Sequence, residues 1–351
     1  MKNLEKNRLA EDLDHILDHT KDILEEFRDS RIFITGGTGF FGKWILETFA
    51  RANEQLGLNT HAVILTRHYQ KFLNKTPHLA TDRNFQFIEG DIKDFAFPEG
   101  SFSHLFHLAT EASDELNRTE PGRMFDTIVT GMKHVLDLAV ATEIEKILFT
   151  SSGAVYGPQP VHLTHIPEDY LGAPDCLNPV SAYGEGKRAA ELLCSIYARQ
   201  FGLSIKIARC FAFVGPYLPL DKHFAIGNFI LDGIRKKPIL IKGDGTPYRS
   251  YLYATDLVIW LFTLLVKGKN CYPYNVGSDH RLSLLELAET ISGCFEPSMQ
   301  IDIMKAPDPK KEIKQYVPSV SRATTELGLK ERIDLTEAIM KTIRFAEQGY
   351  E

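Results

Sequence analysis

Residues 31–44 read RIFITGGTGFFGKW. Arg31 to Thr35 is a short run of β-branched and aromatic residues, the composition of a buried strand. Gly36, Gly39 and Gly42 follow at three-residue spacing, and a helical apolar pattern begins immediately behind them. A turn without side chains lets the backbone approach a pyrophosphate, and the helix after it offers unpaired N–H groups at the positive end of its dipole. A tight strand-to-helix turn also calls for glycine, so the spacing alone does not decide between the two. The order strand, glycine turn, helix favours dinucleotide binding, with Gly36, Gly39, Phe40 and Gly42 against the cofactor.

Outward from this stretch, β-branched and aromatic runs recur. Arg31 to Thr35, His61 to Thr66, Phe85 to Ile88, Ser103 to Leu108, Lys146 to Ser151, Ser204 to Cys210 and Pro273 to Val276 read as strands. Helical patterns at about 42–56, 124–141 and 181–200 separate some of them. Strands alternating with helices predict an α/β fold with a doubly wound parallel sheet, buried on both faces. After Gly215 the prolines and glycines become frequent, and helical patterns return only at about 254–267, 283–294 and 335–348. A second, smaller lobe is expected there. Upstream, residues 3–28 place Leu9, Leu13, Ile16, Leu17, Leu24 and Phe27 on one face of a charged helix. We read it as an appendage that packs on the domain or on a partner subunit.

Composition narrows the classes. With 351 residues, 44% of them hydrophobic, the chain buries a sizeable core. The net charge is -6 with no basic block, which speaks against a nucleic-acid or anionic-membrane surface. No apolar run reaches the length of a membrane span, and the charged amino terminus has no signal-like core. Five cysteines, Cys176, Cys194, Cys210, Cys271 and Cys294, are scattered without metal-ligand spacing. Buried thiols in a reducing, cytoplasmic setting are expected, with no metal.

Three further positions bear on a cofactor. At the end of the second strand, where an acidic residue holds the ribose hydroxyl of NAD, the chain has Thr66, Arg67 and His68. A guanidinium suits a 2′-phosphate, so NADP is preferred over NAD, although Arg67 is equally compatible with a solvent-facing role. Asp91 and Ile92 follow the third strand, where a carboxylate could meet the adenine amino group or simply end the strand.

The reacting groups lie later in the chain. Ser151 and Ser152 end the strand from Lys146, at the carboxyl edge where open α/β sheets bind ligands. Tyr183 and Lys187 are four apart, neighbours across one turn of a helix. A free tyrosine has a pKa of about 10, and a nearby ammonium favours its phenolate. Alone, such a pair is also compatible with surface decoration.

Taken in order, these segments resemble the extended short-chain dehydrogenase/reductase family, the NAD-dependent epimerase/dehydratase group that acts on nucleotide sugars. Thr35 to Gly42 resembles its TGGxGFxG turn, His107 to Ala109 its HxA segment, Ser151 to Gly157 its serine strand, and Tyr183 to Lys187 its YxxxK helix. Arg209 to Pro216, Gly243 to Asp256 and Tyr274 to Gly277 are similar to its later motifs. The resemblance implies a Rossmann domain over 31–210 with parts of 250–280, a substrate lobe over 211–351, and residues 1–30 as an amino-terminal helical extension. It implies a homodimer through the helices at about 124–141 and 181–200. Ala109 and Lys187 join the cofactor site. Ser152, Tyr183 and Lys187 become the catalytic set acting at the sugar C4 oxygen, and Arg249 a contact to the nucleotide diphosphate.

Departures narrow the reaction. The 4,6-dehydratases carry an aspartate and a glutamate after the catalytic hydroxyl, and sugar-acid decarboxylases a Ser-Glu pair; here Gly153 and Ala154 stand instead. That favours a 4-epimerase or 4-ketoreductase over a dehydratase or decarboxylase. Ala212 replaces a usual asparagine, leaving His223 and Asn228 as candidate substitute contacts to the sugar, or as residues of a solvated loop. A non-catalytic cofactor-binding protein is the rival reading; both Tyr183 and Lys187 being present weighs against it.

Overall fold

The structure is a computed structural model that describes residues 8–109, 113–222, 224–310 and 312–348. The chain divides into two compact units, residues 1–155 with 175–209 and 258–273, and residues 156–174 with 210–257 and 274–351.

In the first unit α1 (Ala10–Leu24) leads into β1 (Arg31–Thr35), α2 (Phe40–Leu56) and β2 (His61–Thr66). Short helices α3 (Tyr69–Lys75) and α4 (Pro77–Ala80) precede β3 (Phe85–Glu89), and β4 (His104–His107) follows. Next come α5 (Asp114–Thr119), α6 (Pro121–Ala141), β5 (Lys146–Ser152), α7 (Ala182–Phe201) and β6 (Ser204–Cys210). The second unit carries β7 (Phe213–Val214), α8 (Ala225–Ile234), β8 (Ile239–Ile241), β9 (Tyr248–Arg249) and β10 (Leu252–Tyr253). Helix α9 (Ala254–Lys267) and β11 (Pro273–Val276) complete the elements needed below.

The main sheet has seven strands in the order β11-β6-β5-β4-β1-β2-β3. The pairs β1 with β2, β1 with β4, β2 with β3, and β4 with β5 are parallel. The order reverses at β1, so the carboxyl ends of β1 and β4 flank the switch point where open sheets bind ligands. The central strands are apolar because both faces are covered: Ile32, Phe33, Ile34, Leu105 and Phe106 are fully buried. On one face Phe33, Ile128, Met132, Val135, Phe149, Ala190 and Cys194 share a core with α6 and α7.

The amino-terminal helix is packed into the first unit, against α2. Leu13, Ile16, Leu17 and Leu24 are buried, α1 packs on α2, and Asp14 Oδ1 accepts from Arg51 at 2.8 and 2.9 Å. The sequence-predicted helix began at residue 3, but residues 1–7 lie outside the described ones. One expectation is corrected. Cys194 and Cys210 are buried, whereas Cys176 is exposed in a turn among Pro174, Asp175 and Asn178, and Cys271 and Cys294 are only half-buried. Among the described residues no helix is long and apolar enough to cross a membrane.

Candidate active site

The glycine turn follows β1 directly. Gly36 has φ +71°, a backbone region that disfavours any side chain, and a Cβ there would lie 2.6 Å from the Ala109 nitrogen. This close approach brings the turn against the end of β4, and Ala109 N–H donates to Thr35 Oγ1 at 3.3 Å. Gly39 is the N-cap of α2 and has no side chain to cap the helix, whose amino end carries the positive end of its dipole. A Cβ on Gly39 would meet only the Gly36 carbonyl, at 3.3 Å. Gly36 and Gly42 let the turn close on the end of β4 and on Gly37, and Gly39 leaves the start of α2 uncovered by a side chain, which fits the pyrophosphate of a dinucleotide.

Arg67 is exposed just beyond β2. Asp91 is exposed after β3, where its Oδ1 accepts the Lys93 N–H at 3.0 Å, closing its own turn. Ile92 is buried in the core beneath it.

At the far side of the switch point, β5 delivers Ser152, which is buried. Its Oγ accepts the Ala154 N–H at 3.2 Å, so its proton is directed elsewhere. Helix α7 presents Tyr183 half-buried and Lys187 at 2% exposure. The Lys187 Nζ donates to the Thr150 carbonyl at 2.8 Å, two residues from Ser152, and lies 4.8 Å from the Phe149 ring centre. One bond therefore ties the helix carrying Tyr183 to the strand carrying Ser152.

Two supports around this bond were given no role in the sequence reading. Glu191, one turn beyond Lys187 on the same stripe, accepts from Ser151 Oγ at 2.6 Å and from the Arg209 fork at 3.0 and 2.7 Å. The four-residue spacing from Lys187 was the available signal; Ser151 and Arg209 lie in segments quoted above, but nothing local joined them to Glu191. His107 is the other. Its Nδ1 lies 2.8 Å from Thr35 Oγ1, its ring stacks on Phe149, and its carbonyl accepts from Thr150 Oγ1 at 3.1 Å. Burial, then the Lys187 charge, pushes the His107 imidazole down to about 3, so it is a neutral neighbour at pH 7.

His104 at the other end of β4 is pushed down to about 4 by burial and Lys146. Unfolded, both histidines would protonate near pH 6.5, while the folded ones would not. Stability is therefore full above about pH 6.5 and is lost as pH falls toward 4, by at most about 1.4 kcal/mol per pH unit for each histidine. His78, held above its usual value by its bond to Glu47, acts in the opposite sense, but it is half exposed and screened by solvent. Urea unfolding at pH 7, 6 and 5 is expected to show falling midpoints; a flat profile would contradict the burial assigned to these imidazoles.

The second unit holds the candidate substrate contacts. Arg249 on β9 donates to the Tyr248 carbonyl at 2.7 Å, and its guanidinium lies 6.0 Å from the Tyr316 ring centre. Asn228 is half-buried on α8, its N–H on the Phe224 carbonyl at 3.0 Å. It is therefore a helical residue and not part of a solvated loop. His223 lies outside the described residues.

A sequence model of the NAD dependent epimerase/dehydratase family matches residues 32–277. The chain belongs to this family. A curated relative is UDP-glucuronic acid decarboxylase 3 of Arabidopsis thaliana, 31% identical over 310 residues that cover 88% of this chain and 86% of the relative. Among solved structures, the UDP-glucose 4-epimerase of Thermotoga maritima with UDP-glucose matches with a TM-score of 0.76 at 23% identity, over 92% of this chain and 100% of that one. The UDP-glucuronic acid 4-epimerase of Bacillus cereus, with UDP-glucuronic acid and NAD, gives 0.76 at 23% identity, over 91% and 100%. At these identities the two structures establish the family's fold in this chain.

Proposed function

We propose that this member of the NAD dependent epimerase/dehydratase family is an enzyme that moves a hydride at C4 of a nucleotide-linked sugar, as a 4-epimerase or 4-ketoreductase. The observation that carries this reading is the buried Lys187 ammonium on the Thr150 carbonyl, one helical turn from Tyr183 and two residues from Ser152. In it, Tyr183 takes the proton of the C4 hydroxyl, and the Lys187 charge favours the phenolate that accepts it. Ser152, with its oxygen already accepting from the backbone, donates its hydroxyl proton to the C4 oxygen. A nicotinamide dinucleotide, held by Gly36, Gly39, Phe40, Gly42, Asp91, Ile92, Ala109 and Lys187, supplies the acceptor and donor of the hydride. We assign the cofactor to the first unit, and the nucleotide sugar, through Asn228 and Arg249, to the second.

The relative from Arabidopsis thaliana supports a second reading, decarboxylation of a sugar acid. Once C4 is a ketone, a C6 carboxylate is β to it and can leave as carbon dioxide, its bonding pair moving toward the ketone before C5 is protonated. That loss does not itself need the carboxylates missing at Gly153 and Ala154. Incubation with oxidised cofactor and UDP-glucuronic acid, UDP-glucose or a UDP-4-keto sugar with reduced cofactor, followed by proton NMR, separates the cases. Inversion or reduction at C4 supports the first reading, release of carbon dioxide with a UDP-pentose the second. No turnover of any of the three sinks both.

Arg67 supports NADP over NAD. Its replacement by alanine is expected to weaken NADP⁺ binding by about 10- to 100-fold, the worth of a charged hydrogen bond, and to leave NAD⁺ binding unchanged. Calorimetric titration showing equal affinities before and after the change would defeat the preference. A homodimer is supported by the packed pair α6 and α7, which leaves Phe125, Leu192 and Ile196 exposed. Sedimentation as a monomer would exclude it. The five free thiols support a reducing, cytoplasmic setting.

A further inference from the structure

Helix α7 starts without a cap of its own. Ser181, its N-cap residue, makes no side-chain cap bond, yet the first N–H groups of any helix lack an acceptor within it. The Tyr183 N–H is one of these. Its acceptor comes from another element: Asn117 Oδ1 on α5, at 3.0 Å. The same amide donates through Nδ2 to the Val180 carbonyl at 2.7 Å. The two bonds have opposite polarity, so only one orientation of the amide satisfies both. Asn117 is buried, and its neighbour Leu116 lies in the core against which Tyr183 packs. The Val180 peptide is held from its other side as well, because Asn178 Oδ1 accepts the Val180 N–H at 3.1 Å.

From this geometry we infer that Asn117 is a positioning residue for Tyr183, a cap supplied in trans that fixes where α7 begins and so where the phenol points. The inference rests on the proposed role of Tyr183 in proton transfer. Its force comes from two physical points. A reacting group displaced by about 1 Å can cost about 100-fold in rate, so the first turn of α7 must be reproducible. Asparagine and aspartate are also about equally good caps, but only asparagine is neutral. An aspartate beside Tyr183 would oppose the phenolate that the Lys187 charge favours. The amide therefore holds the helix start without working against the proton transfer.

The test uses the full-length protein saturated with NAD⁺ and labelled with ¹³Cζ-tyrosine, with the Tyr183 resonance identified by its loss in Tyr183→Phe. In Asn117→Ala the Tyr183 line is expected to shift and broaden. In Asn117→Asp, which keeps the acceptor for the Tyr183 N–H but loses the donor to the Val180 carbonyl, the titration midpoint of the Tyr183 line is expected to move to higher pH. An unmoved Tyr183 line and midpoint in Asn117→Ala, even with a lower melting temperature, would reduce Asn117 to a purely structural cap and overturn the inference. If Asn117→Ala fails to fold, Asn117→Asp decides, and a wild-type midpoint there overturns it. Undiminished turnover by Tyr183→Phe would instead sink the catalytic reading, a result that the resonance experiment cannot mimic.

Discussion

Tyr183→Phe is expected to lower turnover by about 100- to 10,000-fold, the usual worth of a positioned acid/base group, while leaving the protein folded and its dinucleotide binding intact. The substitution removes one hydroxyl from a half-buried ring that packs at the edge of the core through its carbons. Two neighbouring bonds do not depend on that hydroxyl. Lys187 keeps its bond to the Thr150 carbonyl, and the Tyr183 N–H keeps Asn117. In the proposed mechanism, what is lost is the group that takes the proton of the C4 hydroxyl. Steady-state rates at saturating substrate and cofactor give the answer directly. Turnover within a few-fold of wild type would mean that the proton is handled elsewhere.

Phe27→Ala is expected to destabilise the protein by about 3–5 kcal/mol, the range for emptying a fully buried aromatic site. Phe27 is 0% exposed, with ring centres 5.3 Å from Phe49, 5.5 Å from Phe262 and 4.5 Å from His104. The first two contacts are edge-on, the favourable geometry for aromatic pairs. The residue sits at the end of the amino-terminal extension, so the loss reports how far that extension has become core. Denaturant unfolding of the two proteins provides the comparison. A difference below about 1 kcal/mol would show the extension to be a dispensable appendage.

Local pattern made the sheet legible. Arg31 to Thr35, His61 to Thr66, Ser204 to Cys210 and Pro273 to Val276 are strands with the bounds read from sequence, because burial enriches such strands in β-branched and aromatic residues, with few polar ones such as Lys206 and Asn275 among them. The glycine turn and the stripe of Tyr183 and Lys187 were legible for the same reason: each lies within one element. Helix α5 was not, since six residues, DELNRT, contain one apolar side chain and show no period. Asn117 was hidden with it. Helix α8 was missed because its glycines, after a run rich in proline, read as broken texture, although Ile226, Phe229 and Ile230 are buried. The joining of Ser151, Glu191 and Arg209 depends on the order of strands in the sheet, which no window of sequence contains.

The turn after β1 also limits how this protein can vary. A Cβ on Gly42 would lie 2.3 Å from the Gly37 Cα, one on Gly37 2.6 Å from an Ile64 methyl, and one on Gly36 2.6 Å from the Ala109 nitrogen. Gly42 thus leaves room for its own turn, Gly37 for a side chain of β2, and Gly36 for the chain after β4. A side chain at any of the three asks a neighbour to move, and at Gly36 and Gly42 that neighbour is backbone, which no second substitution removes. Variation at Gly36 and Gly42 is therefore closed off by the path of the chain itself.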